Sequence, residues 1–429
     1  MTTSDAFERN LSIWLHEDAE HHVPEHLEEV LQRSAATRQR PAWSSLERWL
    51  PMDMTFRRPV FARPMPVRQL ALLLLIALLM AALVALAVGT QRPTLEPYGL
   101  ARNGAIVASR DGDIYAIDPV TAAQSVLIGD DGFDFSPVYS RDGSKFVFLR
   151  SDGEVTEPAM LTLMVADSDG SNVRALTPPV ESLDWFDWSP DGSQIAFISR
   201  VDGEGVITVV NVDQPGSVRL PTGQPAMFVT WLPPDGTEIL YRGEHLKDSD
   251  PPPGLFAIRP DGKSLPRRIP TAPANNQYDY QSITVAPDGS QISFSRWSTS
   301  GRPSVYILDL PTGKERVLPG PAGIGQRGGA AFSPDGTRVA FSRIYADNSY
   351  QLVVGPADGS SEGVVLGPRN SGETAGSGYV FTPDGTAVVT AVGSDDGRVT
   401  YRVPIDGSPW SILSEGGSFS FTDTQRLAP

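Results

Sequence analysis

The sequence predicts an all-β seven-bladed β-propeller closed by a C-terminal strand, preceded by a small α-helical segment and one transmembrane helix. Three observations lead to this prediction: a recurring Pro-Asp-Gly phrase, a last segment that resembles the opening of one more repeat, and a long apolar run. We expect a cytoplasmic helical segment, a basic Pro-rich juxtamembrane linker, the membrane helix, a second linker and the propeller, at residues 1–56, 57–69, 70–88, 89–103 and 104–429.

The N-terminal segment is predicted to form short amphipathic helices. Apolar residues recur there at helical spacing, and Ser44 with Glu47 forms a capping box before a third helix. The apolar positions are Phe7, Leu11, Trp14 and Leu15, and then Leu27, Val30, Leu31 and Ala35. Residues 57–69 contain four arginines and three prolines. This linker cannot continue a helix, and we expect it to lie along the anionic membrane face.

Residues 70–88 form the predicted membrane helix. They include no polar side chain, and at 1.5 Å per residue the helix reaches about 28 Å, close to the hydrocarbon thickness of a bilayer. A signal peptide is the alternative, but 69 residues precede the run. Because four arginines lie just before the helix and two lie close after it, we expect a cytoplasmic N-terminus and an extracytoplasmic propeller at the cell membrane.

Four of the five histidines lie in the cytoplasmic segment, at His16, His21, His22 and His26. A short helical segment before a membrane helix and an exported domain resembles the layout of membrane-bound anti-sigma factors, and this resemblance implies a sigma factor as an alternative partner of residues 1–56. The zinc-binding versions use a His and two Cys, but this chain has no cysteine, and Pro24 interrupts the helix. We therefore expect solvated histidines and no metal site.

Pro-Asp-Gly turns define the repeat of the predicted ring. Pro pre-sets φ at the first central turn position, Asp tolerates the second, and Gly takes the left-handed conformation that reverses the chain. A period-2 strand follows each turn, and four strands per repeat make a propeller blade. The copies are Trp188-Ser189-Pro190-Asp191-Gly192, Ala286-Pro287-Asp288-Gly289, Phe332-Ser333-Pro334-Asp335-Gly336 and Phe381-Thr382-Pro383-Asp384-Gly385, with looser ones at Asp142-Gly143 and Pro234-Asp235-Gly236.

The spacing of these turns predicts seven blades. Successive turn aspartates from Asp142 onward are 49, 44, 53, 47 and 49 residues apart, as in propeller blades. An earlier strand at 105–109 has no Pro-Asp-Gly strand before it, whereas residues 418–428 resemble the opening of a repeat and then stop. We therefore expect the C-terminal strand to complete the first blade, which removes the exposed edges of an open ring.

This repeat resembles the WD-like propeller repeats of the TolB family over roughly residues 100–429. The pattern Ser-Pro-Asp-Gly-x-x-Ile-Ala-Phe, at residues 189–197, carries the resemblance. It implies a propeller that binds partner proteins, while the same repeat is an accessory domain in certain serine peptidases. The chain lacks the separate N-terminal α/β domain of TolB, so the partners of TolB are not expected here.

Charge and composition narrow the function classes. Residues 1–68 have a net charge of −1 and the remaining residues one of −15, which argues against nucleic-acid binding by the ring. A solvated acidic surface explains this balance, and a cationic or metal-bridged partner is the alternative. No disulfide can support the exported domain, but a ring of this size buries a sufficient core without one.

No catalytic residue and no cofactor is predicted. Gly359-Ser360-Ser361-Glu362-Gly363 matches the nucleophile-elbow formula but falls in a hairpin, and His245 is the only histidine after the membrane segment. Asp167-Ser168-Asp169-Gly170 lacks the spacing of a calcium loop. We therefore expect a non-catalytic protein that binds a protein, peptide or cell-envelope ligand; the alternative is an anti-sigma-like transmembrane regulator, and an enzyme dependent on His245 ranks third.

The loops predict where a ligand binds. In an up-and-down blade, the first-to-second and third-to-fourth turns share one rim, here the turn rim, and the other connections share the opposite loop rim. Because binding residues concentrate on variable loops of a rigid scaffold, we expect recognition at the loop rim. The candidate residues are Glu154, Glu157, Asp202, Glu204, Glu244, Asp248, Asp250, Tyr278 and Tyr280. Trp185, Trp188 and Trp231 are instead expected to pack in the core.

Overall fold

The computed structural model describes residues 98–151, 160–244, 253–272, 281–297, 302–370, 378–394, 397–415 and 422–428, together with Ile76. The predicted cytoplasmic helices, their histidines and the rest of the membrane segment lie outside these residues. Within the described ranges, no helix has the length and apolar character needed to cross a bilayer. The described strands form seven antiparallel sheets that surround a central channel, so the prediction of a seven-bladed propeller is confirmed.

Each blade has four main strands, and in blades 2 to 7 these are consecutive, with the first nearest the channel. The first four blades contain β1 (Arg102–Arg110), β2 (Asp113–Ile117), β3 (Gln124–Ile128), β4 (Phe133–Tyr139), β5 (Lys145–Ser151), β6 (Met160–Asp167), β7 (Arg174–Ala175), the additional β8 (Val180–Glu181), β9 (Leu183–Trp188), β10 (Gln194–Val201), β11 (Glu204–Asn211), β12 (Ser217–Arg219), β13 (Ala226–Trp231), β14 (Ile239–Gly243), β15 (Gly254–Ile258) and β16 (Arg267–Arg268).

The last three blades repeat this order, and one further strand follows them. They contain β17 (Gln281–Val285), β18 (Gln291–Trp297), β19 (Pro303–Asp309), β20 (Lys314–Val317), β21 (Gly325–Phe332), β22 (Arg338–Ile344), β23 (Tyr350–Pro356), β24 (Val364–Asn370), β25 (Tyr379–Phe381), β26 (Ala387–Ser394), β27 (Gly397–Pro404) and β28 (Ser411–Glu415); the further strand is β29 (Thr422–Leu427).

The C-terminal strand closes the ring as predicted. Strand β29 pairs antiparallel with β1, from Arg102 opposite Leu427 to Ala108 opposite Thr422, and takes the innermost position of blade 1. Strand β1 begins at Arg102, two residues before the predicted boundary. Both long edges of β1 are thereby paired, one with β29 and the other with β2, which protects β1 from pairing with another chain.

The turns of the repeat are held by one hydrogen-bond pattern. The Ser189 hydroxyl lies 2.6 Å from the Asp191 carboxylate and accepts the N–H of Gln194 at 2.9 Å, while Asp191 accepts the N–H of Ser193 at 3.0 Å. Gly192 closes the turn at φ 69°, a conformation that favours glycine. The same Ser or Thr to Asp contact occurs at Ser140–Asp142, Ser333–Asp335 and Thr382–Asp384.

The hydrophobic core lies between neighbouring blades. Trp188 of β9 is fully buried among side chains of blades 2 and 3, including Leu163 and Phe197. Trp231 of β13 is buried in the next layer against Ile198 and Tyr241. These contacts confirm the core assignment of both tryptophans. Inner strands packed in this way form a rigid wall around the channel.

Candidate binding site in the central channel

The structure describes three of the nine residues predicted at the loop rim. Asp202 is exposed, Glu204 is half-buried in β11, and Glu244 is buried, with its Oε2 lacking a hydrogen-bond partner among the described residues. The connection that contains Asp202 was expected to be an irregular loop. It is a tight hairpin turn, in which Asp202 and Gly203 both have positive φ. The other six candidates lie outside the described residues, as does His245: Glu154, Glu157, Asp248, Asp250, Tyr278 and Tyr280.

Three aspartates in the described part of the loop rim are paired with arginines. Arg150, at the end of β5, bonds to Asp134 at 2.7 Å and to Asp130 at 2.7 Å. Arg200, near the end of β10, bonds to Asp184 at 2.7 Å. These contacts reduce the negative potential that the acidic sequence predicts for this rim.

A cavity of about 370 Å³ lies in the channel and is lined by residues from all seven blades. A larger groove of about 500 Å³ runs along β24 beside Trp410 at the perimeter of blades 6 and 7, but its lining includes no charged side chain. The channel instead combines aromatic and proline surface with acidic and basic groups. Convergent polar groups in an apolar cavity are typical of binding sites, so the channel is the better candidate.

Two arginines interrupt a ring of prolines at the turn-rim mouth of this cavity. In blades 4 to 7 the turn prolines face the channel, at Pro233, Pro287, Pro334 and Pro383. Arg141 takes the proline position in blade 2, directly before the turn aspartate Asp142. Arg426 takes it in blade 1, because Asp423 accepts the N–H of Tyr139 just as Asp187, three residues before Pro190, accepts the N–H of Trp231.

Arg141 lies at the centre of the polar side of the mouth. Its Nη2 donates to Asp187 Oδ1 at 2.9 Å, and its guanidinium carbon lies 5.5 Å from the centre of the Tyr98 ring. Asp187 Oδ2 also accepts the Thr230 hydroxyl at 2.7 Å and the Trp231 N–H at 3.0 Å. The carboxylate thus joins blades 2, 3 and 4 at one point.

The segment that enters the ring crosses the same mouth. Arg426 Nη2 donates to the carbonyl of Gly99 at 3.0 Å, and the N–H of Ala101 donates to the carbonyl of Pro383 at 2.8 Å. Tyr98 lines the cavity. The last residues of the predicted linker therefore form part of the site rather than a free tether.

Burial and mutual charge shift the ionisation of this cluster. Burial raises the pKa of Asp423, although the N–H groups of Thr424 and Tyr139 and the charge of Arg141 act in the opposite direction. Burial, together with the charge of Arg141, lowers the pKa of Arg426. Burial also raises the pKa of Tyr98. The ionised groups of the mouth therefore lie close enough to influence one another.

The core assignment of Trp185 is wrong. Its side chain is 37% exposed, lines the channel and lies 5.2 Å from the ring of Phe228. Successive side chains of a strand point to opposite faces. Trp185 and Asp187 therefore share the face of β9 that lines the channel, while Trp188 packs between blades. The charged residues of the mouth were not predicted as site residues either; the signal for them was an arginine where the repeat has proline.

Comparisons with known proteins identify the fold and no family. No protein-family model matches the chain, and neither does any curated protein. Among solved structures, the periplasmic gluconolactonase of Pseudomonas aeruginosa is similar at 17% identity and a TM-score of 0.53, covering 75% of this chain and 99% of its own. The β-propeller domain of the Trilobed protease from Pyrococcus furiosus is similar at 14% identity and a TM-score of 0.51, covering 74% and 98%.

TolB from Acinetobacter baumannii is also similar, at 15% identity and a TM-score of 0.46, covering 75% of this chain and 66% of its own. The chain therefore spans slightly less than two thirds of that protein. The prediction that the chain is not an enzyme was wrong. It was inferred from the propeller repeat, and the solved propellers similar to this chain include a gluconolactonase and a domain of a protease. At these identities the likeness shows a β-propeller fold and leaves the activity of the ring open.

Proposed function

We propose that this chain is a membrane-anchored binding protein whose propeller recognises a protein or peptide outside the cytoplasm. The channel is the observation that carries this proposal. All seven blades contribute to one cavity, and its wall is a closed set of inner strands. A rigid wall with exposed aromatic and charged groups presents a ligand surface without an ordering cost on binding.

Site-specific photo-crosslinking tests where the partner binds. A photoreactive phenylalanine analogue replaces Trp185 in the channel, Asp202 on the loop rim, or Val317 on an outermost strand; all three positions are exposed. We expect the full chain in its native membrane to crosslink a discrete partner from position 185. Val317, on the perimeter, serves as the matched control. Crosslinking from 202 alone would move recognition to the loop rim, and equal crosslinking from all three would exclude a defined site.

The membrane arrangement is supported by the apolar residues 70–88 and by the arginines that precede them. Because the chain has no cysteine, single cysteines report topology without background. We expect a membrane-impermeant maleimide to label Asp202→Cys in intact cells and Ser12→Cys only after permeabilisation. Labelling of Ser12→Cys in intact cells, or protection of Asp202→Cys, would reverse the orientation.

A transmembrane regulator of the anti-sigma type is the second candidate. The layout of a short N-terminal segment, one apolar span and an exported ring favours it. The test is whether a sigma factor co-purifies with the full chain and is lost when residues 1–56 are deleted. Crosslinking from the channel without any such co-purification would leave the binding role and remove the regulatory one.

A further inference from the structure

We propose that Tyr98 occupies a binding site for an aromatic residue of the partner, and that the partner displaces it from the turn-rim mouth of the channel. This inference rests on the proposed binding function and names the residue type that the channel accepts. The entering segment, defined as residues 98–101, crosses this mouth, and both Tyr98 and Gly99 line the cavity. A segment of the chain seated in the cavity indicates the chemistry that the cavity accepts.

Two arginine contacts hold the first part of the entering segment at the mouth. The guanidinium carbon of Arg141 lies 5.5 Å from the centre of the Tyr98 ring, within the range of a cation–π contact. Arg426 Nη2 donates to the carbonyl of Gly99 at 3.0 Å. An aromatic side chain on one residue and a backbone carbonyl on the next therefore occupy this side of the mouth.

The rest of the entering segment is anchored to the ring independently of these two contacts. The N–H of Ala101 donates to the carbonyl of Pro383 at 2.8 Å. Asn103 and Asp384 then exchange two hydrogen bonds, at 2.8 and 3.1 Å. Tyr98 can therefore leave the mouth while blade 1 remains paired, and Ala101 keeps the entering segment beside a bound ligand.

Gly99 provides a hinge between this anchor and the tyrosine. Its φ of 97° is a conformation that favours glycine. A methyl group added there would meet no atom of the described residues within 4 Å beyond its chain neighbours. Leu100, the next residue, is 59% exposed. The stretch between Tyr98 and Ala101 is therefore lightly packed, and displacement of the tyrosine breaks few packing contacts there.

The cavity also has apolar surface for the rest of the ligand. Phe332, Val380 and Phe381 line it from blades 6 and 7. Its volume of about 370 Å³ lies at the lower end of the range for small-ligand sites, which limits insertion to a short segment. We therefore expect a peptide motif in which an aromatic residue precedes a small one, as Tyr98 precedes Gly99.

Binding is tested by calorimetry with the full chain in detergent, and the probes are acetyl-Tyr-Gly-amide and acetyl-Leu-Gly-amide. Because an internal occupant competes with any probe, we expect Tyr98→Ala to bind the tyrosine probe at least about tenfold more tightly than the unaltered chain. That variant should bind the tyrosine probe at least about threefold more tightly than the leucine probe, since only an aromatic ring gains the cation–π contact. Leu100→Ala, at an exposed position of the same segment, is the matched control and should change neither affinity.

Gly99→Ala separates displacement of the tyrosine from the creation of a hole. Removal of the Tyr98 ring leaves a space that any aromatic compound fills, whereas Gly99→Ala keeps the ring and disfavours the φ of 97° that seats it. We expect Gly99→Ala to bind the tyrosine probe at least about fivefold more tightly than the unaltered chain. Crosslinking of the partner from position 185 should rise in both variants.

The role of Arg141 is tested in the Tyr98→Ala background. Arg141→Gln should remove the preference for tyrosine over leucine, because glutamine carries no cation. Arg174→Gln, which breaks an exposed pair with Asp213 on outer strands, should keep that preference. Thermal unfolding of each variant confirms that the ring is intact, and binding of the leucine probe provides a second check.

Four results would overturn the inference. They are equal affinity of Tyr98→Ala and the unaltered chain for the tyrosine probe, equal affinity of Tyr98→Ala for both probes, no gain in Gly99→Ala, or a gain in Leu100→Ala as large as that in Tyr98→Ala. An unchanged preference in Arg141→Gln would remove the cation–π contact and, with it, the reason for an aromatic ligand.

Failure of both probes to bind any variant, while a partner still crosslinks from position 185, would also reject the aromatic site and leave the proposed binding function standing. Loss of crosslinking from every position would instead remove that function itself.

Discussion

Blades 1 and 2 have arginine at a turn position where blades 4 to 7 have proline. Arg426 and Arg141 stand where the later blades have proline, yet the turn around Arg141 matches the others: Ser140 lies 2.6 Å from Asp142, and Gly143 has φ 69°, as Gly192 does. The turn of blade 2 therefore keeps its hydrogen bond and its glycine conformation with arginine in place of proline.

Removal of the Asp187 carboxylate should have the largest effect on the free energy of unfolding. Asp187→Ala leaves Arg141 and the buried Trp231 N–H without their shared acceptor, and we expect a loss of about 3 kcal/mol in the free energy of unfolding. Denaturant unfolding measures it. Asp213→Ala, which breaks an exposed pair with Arg174, is the control and should cost less than about 1 kcal/mol. Equal losses would mean that the contacts of Asp187 stabilise the ring no more than an exposed ion pair does.

Loss of the turn hydroxyl should destabilise blade 2, whose turn contains Arg141, and blade 6, whose turn contains Pro334, by similar amounts. Ser140→Ala and Ser333→Ala each remove a donor to the turn aspartate and an acceptor for a backbone N–H. We expect each to cost about 1 to 2 kcal/mol, measured by denaturant unfolding. A much smaller cost at Ser140 would show that the Arg141 turn is held by the channel contacts rather than by its own hydrogen bonds.

Restoring the proline of the repeat at position 141 should change the free energy of unfolding only slightly. Arg141→Pro removes the contact with Asp187, but proline fits the turn and restricts the unfolded chain, so we expect a change within about 1 kcal/mol in unfolding free energy. Denaturant unfolding measures the change. A loss as large as that of Asp187→Ala would show that the contact between Arg141 and Asp187 is essential to the stability of the ring.

Acid should destabilise the turns, whereas protonation of Asp423 in the channel should stabilise the ring. Burial acts to raise the pKa of Asp335, but hydrogen bonds from Ser333 and Thr337 outweigh it and lower the pKa below 3.8. Its contribution is therefore complete above about pH 4 and is lost as the pH falls through the lowered value. Asp423 has a raised pKa, so its protonation begins at higher pH and favours the folded state.

The measurement is unfolding free energy between pH 5 and 2. We expect Asp335→Asn to flatten the decline at the acidic end and Asp423→Asn to flatten any rise that precedes it. Identical profiles for the two variants would show that the two carboxyl groups titrate alike in the folded ring.

The architecture was predictable because its determinants are local. Proline, aspartate and glycine impose a turn wherever they occur, alternation imposes a strand, and their spacing counts the blades. The closing strand also followed from sequence, since residues 418–428 resemble the opening strand that the first repeat lacks. The predicted recognition residues, in contrast, were chosen by loop irregularity and charge. Of the three that the structure describes, Asp202 and Glu204 lie on one tight hairpin and Glu244 is buried.

The channel site could not be predicted in the same way because it is assembled from distant residues. Asp187 and Asp423 hold equivalent positions in blades 3 and 1, but this equivalence becomes visible only through the backbone N–H groups that they accept. Tyr98 belongs to a segment that the sequence presents as a linker. Trp185 lies on the channel face of a strand whose tryptophan three residues later is core.

The closing strand has a consequence for how the cavity comes into being. Because β29 brings Asp423 and Arg426 to the mouth, and the entering segment brings Tyr98, an occupant would touch both the first and the last described stretches of the propeller. The complete cavity therefore exists only after β29 has been synthesised and has paired with β1. A ligand bound there would contact both β29 and the segment that enters the ring, and it would oppose separation of β29 by a free energy that rises with the logarithm of its concentration.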